Sequence, residues 1–263
     1  MTDDTKLRLG GMALRNGLLV HGPAPWAAAH RRDDGTIGVA SGRKPRVTGA
    51  MTDVPGVRGV IRLGEAMAVI PLVKRGLPAA RLPWQDATVA GTVAVAALGG
   101  AALRKRLSGP AGELAMTAVS IVPSLVALRG GDLAAYHGVE HKAIAAYEAD
   151  ADDAADASKE HERCGSHLMA PMIAANVVGA LLLKRAMEKP TPLAGGIVSL
   201  AATAAAVEVF AWSERHIDSP VSKALKKPGY ELQRAFGTRE PDERQLEVGR
   251  AALAEILRAE DSN

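Results

Sequence analysis

Four nearly uncharged blocks punctuate the chain: Ala87 to Leu103, Leu114 to Leu128, Leu168 to Leu183 and Leu193 to Trp212. Each is near or slightly below the ~20 residues needed to cross a hydrocarbon core, so each predicts a membrane-crossing helix. Charged or glycine-rich punctuation closes the first three: Arg104-Lys105-Arg106, Arg129-Gly130-Gly131 and Lys184-Arg185. Pro123 lies inside the second block. Small residues dominate all four, which suits close helix–helix contact. Two hairpins that enter the membrane only part-way are the alternative.

The flanking stretches read differently. Residues 1–55 hold short apolar runs broken by Gly, Pro and Asp34-Gly35, the marks of short strands and a hairpin turn in a small soluble cap. Residues 56–82 carry an apolar core, Ala66 to Val73, bracketed by Arg58, Arg62, Glu65, Lys74 and Arg75. That core is too short to span, and an amphipathic helix in the interface is expected, with a packed helix as the plainer alternative. From Ser213 onward a turn at Pro228-Gly229, a short helix, a break at Pro241 and a final amphipathic helix are expected. The fold class is therefore mainly α: a polytopic membrane protein of about four transmembrane helices, with a β-containing N-terminal cap and a helical C-terminal tail. Its expected organisation is a cap at 1–55, an interfacial helix at 56–82, membrane hairpins at 83–130 and 168–212, an intervening segment at 131–167, and a tail at 213–263.

Composition supports this reading. The 263 residues are 48% hydrophobic but only 3% aromatic, with charge crowded at the ends and the middle. The net charge of +3 is modest, and its basic excess lies at residues 31–81. Those residues lack interleaved aromatics, so a nucleic-acid partner is not expected; membrane lipid is. An even number of crossings places both termini and the central segment on one side. The positive-inside rule makes that side cytoplasmic and the membrane the inner (plasma) membrane, although Arg104–Arg106 and Lys184-Arg185 then lie outside. The amino-terminal residues have no apolar signal-peptide region.

The chemistry concentrates in Tyr136–His167, which holds four of the seven histidines and the only cysteine. His137 and His141 are spaced to project from one helix face about a turn apart, and Glu140 between them completes H-x-x-E-H. In that order two imidazoles hold a metal ion and the carboxylate serves as general base. His161 and Cys164 form a second pair on a helical or turn face, and zinc accepts mixed nitrogen and thiolate ligands. A lone cysteine excludes an internal disulfide. Glu208, near the end of the fourth apolar block, is a further candidate, as a ligand, as an orienting partner, or as a carboxylate snorkelling beside Arg215. The metal candidates are thus His137, His141, His161, Cys164 and Glu208, with Glu140 catalytic.

Four blocks in the same order resemble the YqhQ-like bacterial membrane proteins, a family of unknown function described as metal-dependent enzymes. Residues 10–23, GGMALRNGLLVHGP, are similar to its GGQAVIEGVMMRGP-like opening, and 55–67, PGVRGVIRLGEAM, to its RGV-containing helix. YHGVEHKAIAAYE with HERCGSHL is similar to YHGAEHK…HPRCGT, and PGYELQRAFGTREPDERQLEVGRAAL to PGLWLQRLTTREPDDEQLEVA. Met12 and Asn16 stand where the family tends to have Gln and Glu, and Glu231 where it has an aromatic. The resemblance implies a membrane protein with a cytoplasmic metal site drawn from His137, His141, His161 and Cys164. It implies no substrate.

Three functions are expected in descending order: a zinc-type membrane hydrolase, a zinc-stabilised platform for a partner protein, and a small transporter using Glu208 and Glu113. A catalytic zinc keeps an open position, whereas a complete shell of protein ligands is structural.

Overall fold

The computed structural model describes residues 6–107, 109–129 and 131–262. Four strands open the chain: β1 (Gly10–Leu14), β2 (Gly17–His21), β3 (Pro25–Arg31) and β4 (Ile37–Arg43). They form an antiparallel meander in sequence order. The predicted turn at Asp34-Gly35 closes the last hairpin: Gly35 takes a φ of 87°, and the Asp34 carboxylate accepts from the Thr36 N–H at 2.9 Å.

Nine helices follow among the described residues: α1 (Arg58–Met67), α2 (Ile70–Gly76), α3 (Ala87–Arg106), α4 (Gly109–Arg129), α5 (Asp132–Ala149), α6 (Met169–Ala186), α7 (Pro192–Arg215), α8 (Pro220–Leu232) and α9 (Glu243–Asp261). A π-turn, Gln233–Gly237, continues α8.

The sheet is covered on both faces, and its residues alternate accordingly. Leu18, Val20, Ala27 and Ala29 face α5 and α9, packing with Tyr136, Val139, Ile144, Val248, Ala252 and Ile256. Leu14, Leu19, Trp26 and Ala28 face the other way, against Val69, Ile70, Val73, Leu77 and Leu82. The N-terminal sheet, the His-bearing helix and the C-terminal helix therefore share one core, although about ninety residues separate each from the next in sequence. Burying one of these Leu or Val side chains contributes roughly 1.5–3 kcal/mol.

The stretch expected as one interfacial helix is two. α1 ends at Met67, and Pro71 in the first turn of α2 starts the second, where its missing N–H leaves no bond unmade. α2 turns Ile70 and Val73 into the sheet's core, whereas α1 leaves Leu63 and Met67 exposed. The expected turn at Pro228-Gly229 is also absent, because α8 runs through it. Gly229 is instead a packing position: a Cβ there would run into the ring and backbone of His167.

α3 pairs with α4, α6 with α7, and α4 with α6. Ala111–Arg129, Gly165–Ala186 and Pro192–Arg215 are long and apolar enough to cross a membrane. The first predicted span, Ala87–Leu103, is a shorter apolar helix, so the expected four spans become three of full length. Asp86 caps α3 by accepting from the Thr88 and Val89 N–H groups, and pairs with Arg15 at 3.0 Å, which fixes the start of α3 beside the sheet. Leu98, Leu114, Leu182 and Leu193 point outward and exposed, as a lipid-facing surface requires. Glu113 meets Lys184 at 2.5 Å, joining α4 to the end of α6.

Candidate metal centre

α5 carries the chemistry and is unusually buried for a helix with this sequence: Glu140, His141 and Lys142 are all under 9% exposed. Each has a different reason to be tolerated there. Lys142 donates to the carbonyls of Ala155 and Ala157 at 2.9 and 2.7 Å and pairs with Glu240 at 2.6 Å, satisfying its three protons and pinning the acidic loop against the helix. Gly138 allows the C-terminal segment to approach, since an added Cβ would strike the Arg239 carbonyl oxygen. Gly11 of β1 does the same for Glu140, whose carboxyl carbon lies 2.8 Å from where a Cβ would sit.

The two histidines are held in one tautomer. His137 Nδ1 lies 2.8 Å from the Gly237 carbonyl and His141 Nδ1 lies 2.6 Å from the Lys159 carbonyl. A carbonyl only accepts, so each Nδ1 carries the proton and each Nε2 presents a lone pair. His137 Nε2 lies 3.4 Å from Cys164 Sγ. His141 Nε2 is buried and has no hydrogen-bond partner. One ligand atom from each of His137, His141 and Cys164 falls within 4.8 Å of the others. A nitrogen and a sulfur on one tetrahedral zinc lie about 3.5 Å apart, given bonds of ~2.0 and ~2.3 Å. The chemistry and spacing of these donors fit a zinc-type ion, and the orphaned His141 nitrogen is what such an ion would satisfy.

Electrostatics agree. Burial, with smaller contributions from His137, His161 and His167, drives the His141 pKa down to about 2, so its imidazole stays neutral. Burial pushes the Cys164 thiol up, which makes a cation the natural stabiliser of its thiolate. Glu140 rises to about 7, chiefly through desolvation, with His137 opposing and Cys164 adding to the rise. A carboxyl that titrates near neutrality is suited to exchanging a proton.

Of the remaining candidates, His161 lines the same cavity outside the three-residue group, and Glu208 lies on α7. The His161 ring lies tilted beside His141, centroids 5.7 Å apart, but its nitrogens are engaged: Nδ1 accepts from the Arg163 N–H at 3.2 Å, and Nε2 lies 3.3 Å from Glu148. Arg163 also pairs with Glu148. Glu208 on α7 accepts from the Gly56 N–H at 2.8 Å and from Arg58 at 2.6 and 3.0 Å, so it docks the start of α1. His167 is buried against Tyr230, with Nδ1 donating to the Lys226 carbonyl at 2.9 Å. Asn16 bridges the Arg31 and Ala79 carbonyls and accepts from the Arg81 N–H.

Gln233 was not among the sequence candidates. Fully buried in the π-turn, it accepts from the His161 N–H at 2.8 Å and donates to the His161 carbonyl and Ser166 Oγ at 3.2 and 2.9 Å. The same turn supplies the Gly237 carbonyl to His137. One C-terminal turn therefore positions both ligand-bearing segments. The signal available for it in the sequence is its place in the closing block PGYELQRAFGTREPDERQLEVGRAAL.

Around the group lies a cavity of about 430 Å³, lined by His137, Glu140, His141, Cys164, Arg163 and residues 9–13 of β1 and its approach. Leu128, near the end of the apolar helix segment Ala111–Arg129, and Pro83 also line it.

The chain thus combines a His/His/Cys group that could hold a metal ion with three helices long and apolar enough to cross a membrane, which suggests a membrane protein. The model of a family described as protein of unknown function (DUF1385) matches residues 131–259, which cover α5, the Cys164 loop, the second hairpin and most of α9. No curated protein and no solved structure matches the chain.

Proposed function

We propose that the chain is a multi-pass inner-membrane metalloprotein that hydrolyses its substrate at the cytoplasmic surface, using a zinc-type ion held by His137, His141 and Cys164. The observation that carries the proposal is the buried, unpartnered His141 Nε2 facing a second imidazole lone pair and a cysteine, with both Nδ1–H groups tied to backbone carbonyls. A divalent ion there supplies Lewis acidity and lowers the pKa of water.

Three protein ligands leave a coordination position for substrate or water, and the engagement of both His161 nitrogens keeps that residue from closing the shell. This favours the hydrolase over the purely structural platform. Glu140 lines the same cavity, buried, and takes up and returns a proton. β1 packs against Glu140 at Gly11, and the Gln233 turn bonds to His137 and His161. α3 crosses the membrane with α4, because both ends of that hairpin return to the sheet-bearing domain, and this makes four crossings with both termini cytoplasmic. The likeness to YqhQ-like proteins supports the metal-dependent reading, and lipid is the surrounding partner.

The test is metal content of the detergent-purified chain. The wild type and Glu140→Gln should bind zinc, and Cys164→Ser should lose it. A metal-free wild type overturns the proposal. Metal retained in Glu140→Gln with loss of a cellular phenotype supports catalysis; a phenotype that persists there points to the platform.

A further inference from the structure

The cavity's walls indicate what enters it. β1 is the terminal strand of the meander, bonded only to β2, and no other backbone segment pairs with Gly10–Ala13 among the described residues. Those four consecutive residues all line the cavity. Side chains alternate across a strand and Gly10 and Gly11 have none, so this unbroken run means that the backbone of β1 itself borders the space. The same cavity is lined by His161, Arg163, Cys164, Gly165 and Ser166 of the following turn and by His137, Glu140 and His141 of α5. An unpaired edge is a template for another extended chain, which gains affinity through main-chain hydrogen bonds. Leu128, in the last turn of a helix long and apolar enough to cross a membrane, and Pro83 also line the cavity, and Trp84, next to Pro83 in sequence, is exposed.

We propose that the substrate is an extended peptide segment of a membrane-associated protein, which adds to the outer edge of β1 and lays one peptide bond over Glu140. This rests on the hydrolase reading and adds the substrate class to it. Water adds to the peptide carbonyl carbon as Glu140 removes one of its protons. The C–N bond then breaks and that proton passes to the leaving nitrogen, giving a carboxyl and an amine end with no further reactant. A phospholipid would use the apolar rim but has no use for a bare strand edge.

Hydrogen exchange of the full-length Glu140→Gln chain in nanodiscs tests this, with unfolded β-casein as the peptide probe and phosphatidylglycerol vesicles as the lipid probe. The backbone amides of Gly10–Leu14 should exchange more slowly with casein and be unchanged by the vesicles. The zinc-loaded wild type should cut casein and release no lysolipid or fatty acid. Unchanged exchange at Gly10–Leu14 with casein, or lipid cleavage without casein cleavage, overturns the inference. Metal content on the same preparations separates the two ideas. Bound zinc without strand protection removes the peptide assignment alone, and strand protection without zinc removes the hydrolase reading alone.

Discussion

Replacing Glu140 with glutamine in the metal-free chain isolates the strain that the site places on its own acid. Burial raises the Glu140 carboxyl from 4.5 to about 7. A carboxyl whose folded pKa lies above its unfolded value favours the folded state least when ionised. The penalty is absent below about pH 4.5, grows between there and pH 7, and is complete above. A shift of about 2.5 units at 1.36 kcal/mol each corresponds to about 3 kcal/mol at pH 8. Glutamine, nearly isosteric and never charged, escapes it.

The variant should therefore match the wild type near pH 4.5 and exceed it by ~3 kcal/mol at pH 8, a melting difference of roughly 6–12 °C for a chain of this size. The depression of His141 is common to both proteins and cancels in the comparison at each pH. Thermal melting in detergent after chelation, from pH 4.5 to 8, reads the difference directly. Equal melting temperatures at pH 8, or a gap that shrinks as pH rises, would refute the reasoning. Adding zinc should narrow the gap, because a nearby cation stabilises the carboxylate.

Other perturbations separate packing from chemistry. Gly138→Ala forces a Cβ against the Arg239 carbonyl, a backbone group that cannot swing away, and should cost about 1–3 kcal/mol in thermal or chemical unfolding. Gln233→Ala removes the side chain that holds the His161–Ser166 turn at both ends and should destabilise by about 2–3 kcal/mol while weakening zinc affinity, measured by chelator competition. Zinc affinity should fall about tenfold per pH unit on acidification below the Cys164 thiol pKa, since the thiolate must form and one proton is released, whereas His141 remains neutral. A pH-independent affinity would remove Cys164 from the ligand set.

What the sequence made legible was local chemistry and long apolar runs. The i, i+4 spacing of His137 and His141 needed only a helix, and α5 supplies one; the unique Cys164 needed only a turn. The strands were readable from Asp34-Gly35 and short apolar runs. Features set by distant contacts were not readable. Pro228-Gly229 has turn composition but packs against His167 within a helix, so tertiary fit overrode local preference. Residues 56–82 divide at Pro71 because the sheet's second face claims Ile70 and Val73. Glu208 looked costly in an apolar block until α1 arrived with Arg58 to meet it. The carbonyls of Gly237 and Lys159, which set the histidine tautomers, belong to residues whose side chains say nothing of the role.

Zinc-edge X-ray absorption of the zinc-loaded full-length chain tests the centre most directly. Ligation by His137, His141 and Cys164 predicts one sulfur at about 2.3 Å, two imidazole nitrogens at about 2.0–2.1 Å and one further light atom, with the sulfur lost in Cys164→Ser. A spectrum without sulfur, or one that Cys164→Ser leaves unchanged, would contradict the proposed centre.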